Sequence, residues 1–285
     1  DFFVTDNVNR SIRQITSAGV VTTYFTFGST TTRIQGLAFD SKGDLYVADE
    51  GAHVIWKIAD SAGSITATQF AGSSGNAGSA NGLDTSARFN EPHGITIDNN
   101  DVIYVADRGN NAVRRIAPSQ VVTTIATINR PEHITVDTDG TVYVSSSRDH
   151  FIGKVTTAGG SNISAVVGNQ GAIGSADGTG NAALLNTPGG MVVDGNFMYL
   201  ASNQNHTVRR INLTDNSIIT IAVRSRHPGN ANGTLTGARF REPNGIAIDA
   251  SGDLFVVDSG NHRIRKVELQ LKTITNQRLV IWTSA

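Results

Sequence analysis

Residues 91–126 read EPHGITIDNNDVIYVADRGNNAVRRIAPSQVVTTIA, and this stretch decides the fold. It holds four short apolar runs, ITI, VIYVA, AVRRI and VVTTIA, which are separated by Asn, Asp, Gly and Pro residues. Short runs rich in Val, Ile, Thr and Tyr between turn residues predict β-strands. Four such runs in succession predict one four-stranded antiparallel sheet.

Related stretches recur along the whole chain. They read GLAFDSKGDLYVAD at 36–49, HITVDTDGTVYVSS from His133, GMVVDGNFMYLAS from Gly190 and GIAIDASGDLFVVD at 245–258. Five units are complete and a sixth is split between the two ends, so 285 residues give about 47 per unit, the length of one propeller blade. We therefore predict an all-β fold with a single domain over residues 1–285, a six-bladed β-propeller of four-stranded antiparallel blades.

The split unit predicts how the ring closes. The tail 279–285, LVIWTSA, joined to the opening DFFVTD, matches the pattern of the internal units. We expect residues 279–285 to form the innermost strand of the blade that starts at Asp1. Large apolar groups such as Val280, Ile281 and Trp282 are unusual in disordered tails.

Composition excludes several classes of function. The formal net charge is −1, which gives no electrostatic footprint for a nucleic acid or an anionic membrane. No apolar run reaches the roughly 18 to 20 residues of a membrane-spanning helix. The chain has no cysteine, which excludes disulfides, thiolate catalysis and cysteine-bound zinc. We expect neither nucleic-acid binding nor membrane insertion, and we expect a location that is extracellular or periplasmic.

The blocks at 91–126 and 242–267 resemble NHL repeats. The family pattern runs Pro-x-Gly-Ile-Ala-Val-Asp, then Tyr-Val-Ala-Asp, then Asn-x-x-Ile-Arg, and both blocks are similar to it. The resemblance covers essentially the whole chain and implies a six-bladed propeller that most often serves as a binding platform. It does not imply one reaction, because propellers carry many unrelated sites.

Charged residues recur once per blade, and we interpret them as structural. In four blades, an Asp at the end of the second strand and a basic residue in the third strand face each other across the turn, so we predict that they pair. The predicted pairs are Asp6 with Arg13, Asp49 with Lys57, Asp107 with Arg114 or Arg115, and Asp258 with Arg265. Two blades depart from this pattern, with Ser146 and Gly153 in one and Ser202 in the other.

Three connections between blades are long, and they have two interpretations. They run from Gly72 to Pro92, from Gly168 to Pro188 and from Arg224 to Pro243, and we expect Phe89, Leu185 and Phe240 to anchor them. Asn81-Gly82, Asp177-Gly178 and Asn232-Gly233 predict tight turns with positive φ. The loops either pad one face or form an asymmetric binding rim. Basic residues would line that rim as a binding face: Arg88, Arg130, Arg224, Arg226, His227, Arg239 and Arg241.

The starts of the innermost strands carry the sharpest chemical signal. We compare the residue before or at the first Gly of each innermost strand, and these residues are Gln35, His93, His133, Gly189 and Asn244. Propeller geometry would bring them together at the channel mouth. Imidazoles and amide oxygens can hold a divalent metal, so His93, His133, Asn244 and Gln35 are candidate ligands for calcium or zinc.

This placement is similar to that in metal-dependent propeller enzymes, namely the amidating lyase of peptide hormones, gluconolactonases and arylesterases. The third metal-binding histidine of that lyase family has no counterpart here. The calcium-dependent lactonases have a carboxylate among their ligands, whereas none of the five positions here is acidic.

We therefore predict a non-enzymatic scaffold that presents a loop-rich face to a protein, peptide or glycan partner. The alternative is a metal-dependent hydrolase or lyase with its site at the channel mouth.

Overall fold

The computed structural model describes residues 1–61, 63–156, 162–222, 227–233, 237–269 and 281–282. The chain divides into two compact units. Unit 1 comprises residues 1–142 and 155–163, and unit 2 comprises residues 143–154 and 164–285. The prediction of a single domain over the whole chain stays a prediction.

The described residues form six antiparallel sheets, which confirms the six-bladed β-propeller. Blade 1 has three strands, and blades 2, 4 and 6 have four each, and blades 3 and 5 have five each. The strands of blades 1 to 3 are β1 (Phe2–Asp6), β2 (Ser11–Ile15), β3 (Val21–Thr26), β4 (Ile34–Phe39), β5 (Leu45–Asp49), β6 (Val54–Ser61), β7 (Ser64–Gly72), β8 (Gly82–Leu83), β9 (Pro92–Ile97), β10 (Ile103–Asp107), β11 (Ala112–Ile116) and β12 (Val121–Thr127). Those of blades 4 to 6 are β13 (Pro131–Val136), β14 (Val142–Ser146), β15 (Phe151–Thr156), β16 (Asn162–Val167), β17 (Gly178–Thr179), β18 (Pro188–Asp194), β19 (Phe197–Ser202), β20 (Thr207–Asn212), β21 (Ser217–Ala222), β22 (Pro243–Ile248), β23 (Leu254–Asp258), β24 (Arg263–Leu269) and β25 (Ile281–Trp282).

Helical structure among the described residues is limited to short 3-10 turns. They span Asp84–Ser86, Arg108–Asn110, Gly180–Ala182, Asn203–Asn205 and Ser259–Asn261. No helix in the described ranges has the length and apolar character that a membrane span requires.

The hydrophobic core lies between neighbouring blades. In unit 1, Tyr46 and Ile55 of blade 2 pack in one cluster with Val105 and Ile116 of blade 3. Burying these apolar faces stabilises the fold, because each blade is apolar on the faces that its neighbours cover.

Three histidines, each in the turn between the second and third strands of a blade, bind the backbone of the following blade. Each histidine and its partner belong to the same unit. His53, His150 and His206 adopt left-handed backbone conformations, with φ near 60°. Their Nδ1 atoms accept hydrogen bonds from the backbone N–H groups of Glu91, Thr187 and Glu242, with 3.1 Å between the two nitrogen atoms in each case. These bonds hold the residue that directly precedes an innermost strand.

Buried arginines explain the charges that recur from blade to blade. Arg114 Nη1 lies 2.8 Å from Asp107 Oδ2 with both side chains fully buried, and Arg265 pairs with Asp258 at 3.4 Å. These two predicted pairs are confirmed, with Arg114 rather than Arg115 as the partner of Asp107. In blade 5, where Ser202 replaces the aspartate, the buried Arg209 pairs with Asp177 at 2.7 Å instead.

Two of the predicted pairs are wrong. In blade 2 Trp56 takes the register position of Arg114, and its Nε1 donates to Asp49 Oδ2 at 2.9 Å. Side chains alternate between the faces of a strand, so Lys57 points away from Asp49 and pairs with Asp44 at 2.6 Å. In blade 1, Asp6 accepts from Asn9 and Arg13 donates to Thr23.

The long loops are fixed parts of the fold. Phe89, Leu185 and Phe240 are fully buried, which confirms their role as anchors. Arg114 also donates to the carbonyl oxygens of Arg88 and Ala80, at 2.8 and 3.0 Å. Arg209 and Arg265 bond in the same way to carbonyl groups of the two other loops, and these groups are those of Leu184, Ala176, Arg239 and Ala231. The interpretation as structural loops therefore agrees with the contacts.

Two of these loops also contribute a strand. β8 pairs with β12, and β17 pairs with β21, so each short strand covers the outer edge of the blade that follows it in sequence. Gly82 and Gly178 are therefore extended, and the prediction of positive φ at these two positions is wrong. A Cβ atom at Gly178 would lie 3.1 Å from the carbonyl carbon of Ala182, so crowding by the adjacent 3-10 turn accounts for this glycine.

The closing strand stays a prediction. In the structure the two described residues of this segment, Ile281 and Trp282, pair with Leu269 and Glu268 of β24 rather than with the blade that starts at Asp1. The outer edge of β24 offers unpaired backbone groups, which explains this pairing physically. Residues 279–280 and 283–285 lie outside the described residues.

We predict that Arg114→Ala lowers the free energy of unfolding by about 3–5 kcal/mol, because it leaves Asp107 as a buried charge and releases two loop carbonyls. Urea unfolding measures this loss, and limited proteolysis at 73–88 should accelerate. Arg115→Ala, one residue along the same strand, is the matched control and should cost less than about 1 kcal/mol. Equal losses in the two variants would refute the role of Arg114.

We predict that deletion of residues 279–285 lowers the melting temperature by at least about 4 °C, because a strand is lost from the ring. An unchanged melt would rule out any strand in this segment. The chain has no cysteine, so the variant Leu269→Cys with Ile281→Cys separates the two placements. Rapid disulfide formation supports the pairing with β24, and its failure together with a lowered melt supports closure at blade 1.

Candidate functional site

Five polar side chains from three consecutive blades meet in unit 1. We call them the inner-strand cluster: Gln35, Glu50, His93, Arg108 and Glu132. Gln35, His93 and Glu132 are the second residues of the innermost strands β4, β9 and β13, whereas Glu50 and Arg108 directly follow the second strands β5 and β10.

Close approach of the backbones brings these residues together. A Cβ atom at Gly36 would lie 2.8 Å from the carbonyl oxygen of His93, and one at Gly94 would lie 2.8 Å from that of Glu132. Neighbouring innermost strands therefore run in contact, which only glycine permits at these two positions. The side chains at the second positions of these strands consequently lie side by side.

The five side chains form one continuous chain of polar contacts. Gln35 Nε2 donates to Glu50 Oε2 at 2.5 Å. Arg108 lies between the two carboxylates, with its Nη1 atom 3.4 Å from Glu50 Oε1 and its Nε atom 3.6 Å from Glu132 Oε2. His93 Nε2 completes the chain at 3.4 Å from Glu132 Oε1.

His93 is the most deeply buried member of the cluster. Its Nδ1 atom lies 2.9 Å from the backbone carbonyl oxygen of Glu132, which can only accept, so this nitrogen carries a proton and donates a hydrogen bond to that oxygen. Its ring meets that of His133 edge to face, with 5.3 Å between the centroids. Burial lowers the pKa of His93, the charge of Glu132 opposes this shift, and the charges of Arg108 and Arg130 add to it.

Two arginines lie at the solvent side of the cluster. Arg33 precedes β4 and its Nη2 atom lies 3.8 Å from Glu50 Oε1. Its side chain is 58% exposed, whereas that of Glu50 is 11% exposed. Arg130 precedes β13 and is also exposed. Glu50, Glu132 and Arg108 are thus mostly buried, whereas Arg33 and Arg130 are exposed.

One position in the sequence interpretation requires correction. β13 begins at Pro131 as β9 begins at Pro92, so Glu132 is the structural equivalent of His93, and His133 takes the place of Gly94. The inference that no acidic residue occupies these positions is therefore wrong. The blades were matched by the glycine of the innermost strand, but this blade has His133 in place of that glycine. Matching the blades by the proline that begins the strand places Glu132 at the position of His93.

The four candidate metal ligands lie in different places. Gln35 and His93 belong to the cluster, the His133 ring packs against His93, and Asn244 is the second residue of β22 in unit 2. Within the described part of the chain, no group of three or more His, Cys, Asp or Glu side chains has an arrangement that would hold a metal ion. The predicted metal site, whose ligands include the amide oxygens of Gln35 and Asn244, stays a prediction.

The predicted arginine-rich binding face also stays a prediction. Arg88 Nη1 donates to the carbonyl oxygens of Thr85 and Ala87 at 2.7 Å, and Arg239 Nη1 donates to that of Ala238 at 2.6 Å. These two side chains bond within their own loops. The remaining members are Arg130 in unit 1 and His227 and Arg241 in unit 2, all exposed, with Arg224 and Arg226 outside the described residues.

The charges of the cluster do not repeat around the fold. The residues that follow the second strands of blades 4, 5 and 6, and thus correspond to Glu50 and Arg108, are Ser147, Asn203 and Ser259. Gly189 and Asn244 correspond to Gln35, His93 and Glu132. The same turns and strands therefore form without charged residues, and the fold does not require this cluster.

Comparison with known proteins identifies the repeats. The NHL repeat model matches residues 89–116 and 240–267. NHL repeat-containing protein 2 from Homo sapiens is 25% identical over an alignment of 265 residues, and the alignment covers 87% of this chain and 31% of that protein. The chain thus spans less than a third of the length of this relative.

Solved structures share the fold. An auxiliary nutrient binding protein from Bacteroides thetaiotaomicron superimposes with a TM-score of 0.73 and 20% identity, over 90% of this chain and 64% of that one. A catalytically inactive virginiamycin B lyase from Staphylococcus aureus, with quinupristin, has a TM-score of 0.62 and 16% identity, over 98% of this chain and 79% of that one. At these identities the similarity shows the fold alone.

We predict opposite shifts of the His93 pKa in two variants. Glu132→Gln removes the negative charge that favours the imidazolium and lowers the pKa further, and Arg108→Gln removes a repelling charge and raises it. Titration of the His93 ring signals by NMR measures both shifts, with Lys266→Gln in unit 2 as control. Shifts of the same sign in the two variants would contradict the geometry of the cluster.

Proposed function

We propose that this six-bladed β-propeller, which carries NHL repeats at 89–116 and 240–267, acts as a non-enzymatic binding scaffold whose partner contacts the inner-strand cluster. The partner is a protein, a peptide or a glycan. The predicted location outside the cytoplasm, extracellular or periplasmic, is part of this proposal.

One observation carries the proposal: the fold does not need the charges of the cluster. Blades 5 and 6 have Gly189 with Asn203 and Asn244 with Ser259 at the two equivalent positions, and they form the same strands without charged residues there. Burying charged groups costs free energy unless they are paired, so retaining them where neutral residues suffice indicates another role.

The scaffold also holds the cluster in place. All five side chains come from strands or from the residues directly after them, and the close approach at Gly36 and Gly94 limits their movement. Rigid positioning of donors and acceptors lowers the entropy lost on binding. The name of the nutrient binding protein with the same fold agrees with a binding role.

An alternative is a metal-dependent hydrolase or lyase at the same site. The adjacency of His93, Glu132 and His133 favours it, since imidazole and carboxylate groups serve in acid–base chemistry and as metal ligands. The shared fold with a virginiamycin B lyase is compatible with this alternative.

Peptide and glycan arrays test the binding proposal. We expect the protein to bind some members of the arrays, and we expect the double variant Arg108→Gln with Glu132→Gln to lose this binding. The control, Lys266→Gln with Asp253→Asn, removes an ion pair of 2.8 Å in unit 2 and should retain the signal. Array binding that is equal in both variants would refute the role of the cluster.

Metal content by mass spectrometry tests the alternative. Near-stoichiometric zinc or calcium in tag-free protein, lost in His93→Ala, would favour an enzyme and justify assays with lactones and esters. Metal content that His93→Ala leaves unchanged would argue against a metal centre at this site.

A further inference from the structure

We infer that His53, His150 and His206, which we call the turn histidines, form a pH-sensitive device that releases the last residue of each long loop in acid. Their hydrogen bonds to the backbone of the following blade carry this inference. The device is independent of the proposed binding function, because none of the three histidines belongs to the inner-strand cluster.

Each turn histidine accepts its hydrogen bond only while the imidazole is neutral. The Nδ1 atom faces a backbone N–H group, so Nδ1 is unprotonated and Nε2 carries the proton of the ring. An imidazolium ion has a proton on both nitrogens and cannot accept. Protonation therefore places two donors opposite each other, and the hydrogen bond is lost.

The backbone that these bonds hold is in an unfavourable conformation. Glu91, Thr187 and Glu242 have φ of 52°, 46° and 50°, in the left-handed region that is uncommon for residues other than glycine. Each precedes the proline that begins an innermost strand, and a proline favours an extended conformation in the residue before it. Loss of the bond to the histidine therefore lets this residue relax out of the left-handed region.

The turn histidines coincide with the long loops. Glu91, Thr187 and Glu242 are the last residues of these loops before β9, β18 and β22. The short connection between β12 and β13 ends at Arg130, whose N–H group donates to Asn111 Oδ1 at 2.8 Å. Asn111 occupies the same position of its turn and also has a left-handed backbone, with φ of 53°. The same hydrogen bond is thus made by a side chain that does not titrate where the connection is short.

Three charged groups surround His206. Burial lowers the pKa of His206, and the negative charge of Glu242 opposes this shift. The positive charge of Arg241 adds to the shift, and the negative charge of Asp258 opposes it. Arg241 and Glu242 end the loop and Asp258 ends β23, so all three belong to blade 6 or to the connection that leads into it.

The other two turn histidines have fewer charged neighbours. Burial lowers the pKa of His150, and the charge of Asp149 in the same turn opposes this shift. His53 binds the backbone of Glu91, a residue that also carries a carboxylate. Because the pKa of His150 and His206 is lowered in the folded protein, the stability from their bonds is complete above about pH 6.5. It is lost as the pH falls from about 6.5 through the folded-state pKa.

The release is local. Phe89, Leu185 and Phe240 are fully buried and anchor each loop two positions before the released residue. Acid therefore frees the end of the loop, whereas the rest of the loop stays attached. In blade 3 the released Glu91 lies two positions before His93, so the change reaches the start of β9 and the inner-strand cluster.

Exchange of single amide hydrogens, followed by NMR, tests this inference. The amides of Glu91, Thr187 and Glu242 are compared at pH of about 7.5 and about 5, on either side of the ordinary histidine pKa of about 6.5, and each rate is divided by its intrinsic rate. A released imidazole with this ordinary pKa favours the open state about thirtyfold at the lower pH, so we expect protection to fall by up to about thirtyfold. The amide of Arg130, which binds Asn111, should keep its protection.

Asn111 supplies matched variants in both directions. The triple variant His53→Asn, His150→Asn and His206→Asn replaces each histidine with the residue that makes the same bond in blade 3. We expect its three amides to stay protected at both pH values. Asn111→His should have the opposite effect and make the protection of the Arg130 amide fall by up to about thirtyfold in acid.

Three outcomes in the unaltered protein would overturn the inference. Protection of the three amides that is the same at both pH values would show that the bonds do not respond to acid. An equal loss at Arg130 would show general acid unfolding instead of histidine titration. Nitrogen-15 shifts of the imidazole rings that place the proton on Nδ1 at neutral pH would show that the histidines do not accept these bonds.

Discussion

The close contact between neighbouring innermost strands is the constraint on which the candidate site depends. At Gly36 and Gly94 the next strand leaves no space for a Cβ atom. This approach aligns the second residues of successive innermost strands, so Gln35, His93 and Glu132 become neighbours although 58 and 39 positions separate them along the chain. A substituent at either glycine would push the strands apart and separate the cluster.

Arginine–carboxylate contacts occur in two different settings in this protein. Arg114 is fully buried, contacts Asp107 at 2.8 Å and also binds two loop carbonyls, so all of its contacts stabilise the fold. Arg108 lies at the end of a strand with longer contacts to two carboxylates. The distance alone does not separate the two settings, because the structural pair of Arg265 with Asp258 also measures 3.4 Å. The bonds to loop carbonyls do, since Arg265 shares them with Arg114.

The fold was predictable from the sequence, whereas the site was predictable only in part. Hydrophobic runs and turn residues recur in the same order in each unit, which predicts blades and strand order before any side-chain contact is known. The assignment of Glu132 failed because His133 stands where other blades have glycine, and a shift of one residue changes which side chain reaches the cluster. The pair Asp49 with Lys57 failed for a related reason, since Trp56 occupies the arginine position and Lys57 lies on the opposite face.

The short strands β8 and β17 make the structural module longer than the repeated sequence. β8 precedes blade 3 in the chain but pairs with β12, the last strand of that blade, so both ends of the stretch 82–127 meet in one sheet. A blade cut at Pro92 would lose its edge cover and expose the unpaired backbone of β12 to other chains. Exchange of a blade between related propellers should therefore use the boundary before the loop, near Gly72, and not the start of the innermost strand.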